Sequence, residues 1–148
     1  MSRRPFQFYI YFMLIQHIYF VSFSCSSVAD FVTYVFVNKA VMARTAERKC
    51  VEKKGHLVSI HSQQEKDIVK AKMGNNPRVW IGLKRRTVQN RPWVWFDGTE
   101  VDFGDWEPDV TDDQNYVSMS SDGSWEAKAN EEKLPFVCKI IDDCPISS

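Results

Sequence analysis

Ten carboxylates fall between Asp97 and Glu126, and no lysine or arginine interrupts them: Asp97, Glu100, Asp102, Asp105, Glu107, Asp109, Asp112, Asp113, Asp122 and Glu126. Like charges at this density must be solvated, or must neutralise something positive. A hard cation does the second, since Ca²⁺ takes roughly six to eight oxygen ligands, many of them carboxylates. The alternative is a hydrated acidic loop with no ligand. The preceding segment reverses the balance, with fourteen Lys or Arg against five acids from Asp30 to Arg91.

The elements that must position this tract follow from periodicity. Phe31 to Val37 is rich in β-branched and aromatic residues and predicts a strand. Lys39 to Lys54 predicts a helix, with Val41, Thr45, Ala46, Lys49 and Cys50 on one face and Gly55 as its stop. Leu57 to Ile60 is a short buried run. Ser62-Gln63-Gln64-Glu65 is a capping box opening a helix to about Met73, which buries Ile68, Val69 and the stem of Lys72. Gly74-Asn75-Asn76-Pro77 ends it. Three further strands are expected at Val79–Leu83, Trp93–Phe96 and Tyr116–Met119, and a last one at Phe136–Ile140. Asp97-Gly98 is a hairpin turn signal and Asp122-Gly123 another turn. Asp102 to Gln114 reads as loop. Helices placed ahead of an antiparallel strand set indicate an α+β fold.

The N-terminus reads as a secretory signal over residues 1–29. Arg3 and Arg4 form a positive region, Phe6 to Phe23 is apolar apart from Gln16 and His17, and small residues suit cleavage after Ser24 or Ala29. A retained type II membrane anchor is the alternative, and the two polar residues in mid-segment count against it. Residues 30–141 are enough for one domain, followed by a short polar tail at 142–148. Without residues 1–29 the chain carries seventeen Lys and Arg against nineteen acids, so nothing points to a nucleic-acid partner. The chain has four cysteines, Cys25, Cys50, Cys138 and Cys144. They pair in three ways if cleavage follows Ser24, and leave one unpaired if it follows Ala29. A leftover Cys144 is a candidate for a disulfide-linked dimer.

Enzyme chemistry finds no foothold. Outside the signal only His56 and His61 remain, and no His-Glu-x-x-His, Gly-x-Ser-x-Gly or P-loop pattern occurs. His61 is explained by the helix cap beside it. Trp80, Trp95 and Trp125 read as core, and Trp93 and Trp106 as core or as a platform for a sugar ring. Lys84-Arg85-Arg86 with Arg91 is a basic cluster, read as a solvated charged turn or as a site for sulfated glycans or an acidic protein surface.

Trp80-Ile81-Gly82-Leu83, Trp93-x-Trp95-x-Asp97-Gly98, Gly123-Ser124-Trp125 and Pro135-Phe136-Val137-Cys138 occur in this order. Ala46 to Cys50 and Gly55 to Ser62 precede them. Together they resemble the C-type lectin domain over roughly Val32 to Ile140. The resemblance implies a secreted or cell-surface module that binds a glycan or glycoprotein, often through Ca²⁺, and a Cys50–Cys138 disulfide. It assigns carbohydrate binding to Glu107, Asp109 and Glu126, and metal binding to Glu107, Asp109, Asp113 and Glu126. Glu107-Pro108-Asp109 resembles the family's calcium triplet, in which the proline bond is cis. A second alignment makes Trp106-Glu107-Pro108 a Trp-x-Pro step and leaves no triplet. Three features depart from the pattern. The later Glu falls at Gln114, the Asn-Asp pair falls at Glu126 and Ala127, and the second disulfide's cysteines fall at Tyr116 and Asn130. The same fold without a sugar site, binding a protein, is the alternative.

Overall fold

A computed structural model describes residues 31–86, 91–104 and 111–142. The signal segment, Cys25, Cys144 and residues 105–110, which hold Trp106, Glu107, Pro108 and Asp109, lie outside the described residues. The chain order is β1 (Phe31–Val41), α1 (Ala43–Val51), β2 (Gly55–Leu57), α2 (Gln63–Met73), β3 (Arg78–Arg85), β4 (Trp93–Trp95), β5 (Gln114–Ser120), β6 (Trp125–Ala129) and β7 (Leu134–Asp142). The strands form one mixed sheet in the order β1-β7-β3-β5-β6, with β2 added to β7 and β4 to β3. This is the α+β arrangement that the sequence predicts.

The first and last strands run antiparallel, from Phe31 opposite Asp142 to Val41 opposite Leu134. Strand pairing thus joins the two ends of the domain directly. β7 meets β3 in parallel at Phe136 and Trp80. Along β3, Val79, Ile81 and Leu83 belong to one core cluster and Trp80 to the other. Along β7, Val137 joins the first cluster while Phe136 and Cys138 join the second. Side chains alternate across a strand, so the sheet has an apolar core on both faces. Ala43, Ala46 and Cys50 of α1 pack on the second cluster, and Val69 and Met73 of α2 pack on the first.

Cys50 is bonded to Cys138, 88 positions further along the chain, with Cα atoms 5.4 Å apart. The bridge fixes α1 to the central part of the sheet. Trp80 adds a second tie, donating from Nε1 to the Val41 carbonyl at 2.7 Å. A third is built on the capping box. Ser62 accepts from the Glu65 amide as expected, but Glu65 reaches the His61 amide (2.7 Å), one residue before the cap. Its other oxygen accepts from Tyr34 of β1 (2.8 Å) and Lys139 of β7 (2.6 Å).

Several local expectations are corrected. The first helix begins at Ala43 and not at Lys39, because residues 39–41 continue β1 into its pairing with Leu134. Gly55 does not stop that helix by a positive φ. Lys54 takes the left-handed turn (φ 62°), and Gly55 opens β2, where a Cβ would collide with the Lys139 carbonyl. In α2 the buried residues are Val69 and Met73, while Ile68 is half-buried and Lys72 exposed. Asp97-Gly98 does turn the chain, with Gly98 at φ 79°, but it forms no hairpin. β3 pairs with both β4 and β5, so the chain leaving β4 must cross to the other edge of β3. Asp122-Gly123 does close a hairpin, between β5 and β6. The sequence reading assigned no strand to β6, whose residues are all half-buried and carry no alternation.

Candidate functional site

Of the seven described carboxylates of the acidic tract, all but Glu100 are engaged by hydrogen bonds or ion pairs. Asp97 accepts from the buried Ser59 hydroxyl, the Thr99 amide (3.0 Å) and the Thr99 hydroxyl (2.6 Å). Burial pushes its carboxyl up, but these bonds outweigh burial and hold it below the usual range. The Thr99 hydroxyl also meets His61 Nε2 at 3.0 Å, and His61 Nδ1 lies 2.7 Å from Asp102. The His61 hydrogen bond is the main cause that keeps the exposed Asp102 carboxyl low. His61 was expected only at the helix cap. Its amide does serve there, while its ring leans on Trp95 and ties the loop after β4 to the start of α2.

Glu126 has a different environment. Arg78 Nη2 stands 3.0 Å from one carboxylate oxygen and 3.1 Å from the other, and Lys128 Nζ is 2.7 Å away. Ser120 donates to it at 3.3 Å. The Lys128 hydrogen bond is the largest cause that lowers its pKa, with Arg78 adding to it. Three strands build this cluster, since Ser120 faces Arg78 and Ser118 faces Glu126. Asp113 accepts from the Thr111 hydroxyl within its own turn. Gln114, at the family's later Glu position, accepts from the Thr111 amide at 3.1 Å. Ala127 pairs with Val117 in the ladder.

These surroundings bear on calcium. An ion needs oxygens that converge at about 2.3–2.6 Å with lone pairs free. Glu126 spends its charge on two fixed cations, Gln114 on a turn amide, and Ala127 has no donor. The donor chemistry at these positions does not fit a calcium ion. Among the described residues no group of three His, Cys, Asp or Glu gathers. Glu107 and Asp109, the other two expected ligands, are outside the described residues, as is the bond before Pro108.

The region also does without the second staple. Tyr116, at one missing cysteine position, is buried, stacks on Phe96 with ring centroids 6.2 Å apart, and accepts from Arg44. Asn130, at the other, accepts from Asn115 at 3.1 Å. Arg91 bridges Asp112 and Asn115, closing the base of the loop. Much of the basic cluster is likewise occupied. Lys84 lies over Phe96 at 4.2 Å, Arg85 over Trp93 at 5.6 Å, and Arg91 is paired. Trp80 and Trp95 are core as expected. Trp125 is half-buried, edge-on to Trp95 (5.8 Å) and to Phe103 (6.3 Å).

One concavity of about 610 Å³ opens beside Trp125, lined by Gln63 and Lys66 of α2, Asp102 to Gly104, and Gly123 and Ser124. The sequence reading missed Gln63, Lys66 and Phe103 as site residues. They come from segments some forty residues apart, and only the packing of α2 against the loop after β4 and the β5–β6 turn brings them together.

Comparison with known proteins agrees with this architecture. The family model described as Lectin C-type domain matches residues 39–140. The chain is 36% identical over 115 residues to human Lymphocyte antigen 75, covering 72% of this chain and 7% of that much longer protein. It is 34% identical over 127 residues to the alpha subunit of snaclec stejaggregin-A from Trimeresurus stejnegeri, covering 80% of each. Among solved structures, a calcium-independent type II antifreeze protein superposes with a TM-score of 0.66 at 28% identity, covering 78% of this chain and 90% of that one. The cow CD23 carbohydrate-recognition domain, solved with a GlcNAc2Man3 oligosaccharide, gives a TM-score of 0.66 at 28% identity and covers 80% and 96%. With its two-faced core, its Cys50–Cys138 bridge and these matches, the chain belongs to the C-type lectin domain family, whose lectin and antifreeze members are binding proteins and not enzymes.

Proposed function

We propose that this chain is an extracellular carbohydrate-binding module that works without calcium at Glu126. The observation that carries the reading is the pairing of Glu126 with Arg78 and Lys128. Two internal cations supply there the positive charge that an ion would otherwise bring. The antifreeze relative described as calcium-independent and the CD23 domain solved with an oligosaccharide support the two halves of the proposal. Glu107 and Asp109 stay in it as glycan contacts at the loop. Residues 1–29 act as the signal that delivers the chain to the secretory route, consistent with a disulfide, which persists in oxidising compartments. Cys144 is then available to link two copies, and a glycan or glycoprotein is the partner.

The test is a glycan array probed in Ca²⁺ and again in excess chelator. The expected result is one set of bound glycans that the chelator leaves unchanged. Binding that vanishes with the chelator overturns calcium independence. No glycan binding in either condition favours the second reading, a protein-binding module of the same fold, for which Ala127 and Gln114 already speak.

A further inference from the structure

The concavity beside Trp125 has the chemistry of a sugar subsite, and the Glu126 cluster does not account for it. Its aromatic part is Trp125 with Phe103 edge-on. Such a ring offers an apolar face to the C–H side of a pyranose while polar groups around it meet the hydroxyls. Lys66 supplies a cation. Among the described residues it makes no ion pair, unlike Lys128 and Lys139. Its stem crosses Gly123, where φ is +92° and a Cβ would stand 2.9 Å from Lys66 Cε. Glycine therefore leaves the space that lets Lys66 lie over the turn. Gly104, at φ +109°, does the same against Trp125, where a Cβ would be 2.9 Å from the indole ring. Asp102 supplies an acceptor. It is bound to His61 through one oxygen, and its side chain is half exposed. Trp125 and Glu126 are neighbours on β6, and successive side chains on a strand point to opposite faces, so this pocket and the Glu126 cluster are separate.

We infer that this concavity is a subsite for an anionic sugar, a pyranose bearing a carboxylate or sulfate. The ring packs on Trp125, Asp102 accepts from a hydroxyl and Lys66 takes the acid. The inference rests on the carbohydrate reading above, and its test separates the two. The ¹⁵N-labelled full chain is titrated with glucose, glucuronate and glucose 6-sulfate, following the indole N–H signal of Trp125. The expected result is that at least one acid binds about fivefold more tightly than glucose, the size of a partly exposed ion pair. Comparing the two acids shows whether carboxylate or sulfate is the group recognised. Lys66→Gln should erase the difference, and Lys72→Gln, on the same helix but outside the pocket, should leave it. Equal affinity for all three sugars overturns the inference, as does equal weakening by both lysine variants or a Trp125 signal that neither acid moves. If neutral glycans still bind the array in that case, the carbohydrate reading survives and only this subsite falls.

Discussion

Glu65 and Glu126 are both carboxylates held by a lysine, and they sit in opposite kinds of place. Glu65 is at the frame end, where β1, β7 and α2 meet. Its side chain is 19% exposed and that of Lys139 only 10%. Glu126 is on the hairpin that borders the acidic tract, 38% exposed, with Arg78 at 41%. The same pair of groups is worth more where water is excluded, because screening is weaker and an orphaned charge cannot be rehydrated. The frame thus uses its charges to fix elements, while most of the described carboxylates of the tract are exposed. A binding face built on a rigid frame needs that division, since the groups that meet a ligand cannot also be the ones that keep the fold together.

The comparison breaks or sharpens under substitution, and the disulfide is the largest lever. Replacing Cys50 and Cys138 together by alanine should cost about 4–5 kcal/mol, from the entropy of freeing a loop that spans most of the domain. Thermal unfolding with and without the bridge measures it. Glu65→Ala comes next, at about 3–5 kcal/mol, because it strands Lys139, whose side chain is only 10% exposed. Its pH dependence has a definite sign. Burial pushes the Glu65 carboxyl up, but the bonds from Lys139, the His61 amide and Tyr34 outweigh it and hold the group below its ordinary value. The stability it contributes is therefore present above the unfolded carboxylate pKa of about 4.3 and is lost as the pH falls through the lowered folded value. Urea midpoints across that range should drop in the native chain and flatten in Glu65→Gln.

Asp97→Ala tests the junction between the two regions. It leaves the buried Ser59 hydroxyl without its acceptor and frees Thr99, at about 1–3 kcal/mol by urea denaturation. Glu126→Gln should be the smallest effect, under about 1 kcal/mol, because the carboxylate and its Arg78 partner stay in contact with water, although Lys128 is only 15% exposed. If that change costs as much as Glu65→Ala, the tract is part of the frame and the division proposed here fails.

The frame was the more legible of the two regions. β-branched and aromatic runs marked β3, β5 and β7 because buried strands need such side chains, and marked β1 by strand propensity alone, since it is an edge strand with no fully buried residue. The Ser62–Glu65 cap was readable because its partners are local. β6 was not, since Trp125 to Ala129 is half-buried throughout and gains its strand from pairing with β5. Gly55 was read as a helix stop because a glycine after a helix usually is one. The constraint there is a carbonyl of β7, more than eighty residues away in sequence.

The sequence alone determined the family, the Cys50–Cys138 pairing that the family implies, and the concentration of acid between 97 and 126. These depend on residue type and order, which the chain carries in itself. Only the tertiary structure decided what the acids meet: Asp97 against Ser59, Asp102 against His61, Glu126 between Arg78 and Lys128. A carboxylate's role is set by which cation or donor lies within about 3 Å of it. That distance is fixed by strand register and helix packing, between residues that no local pattern connects.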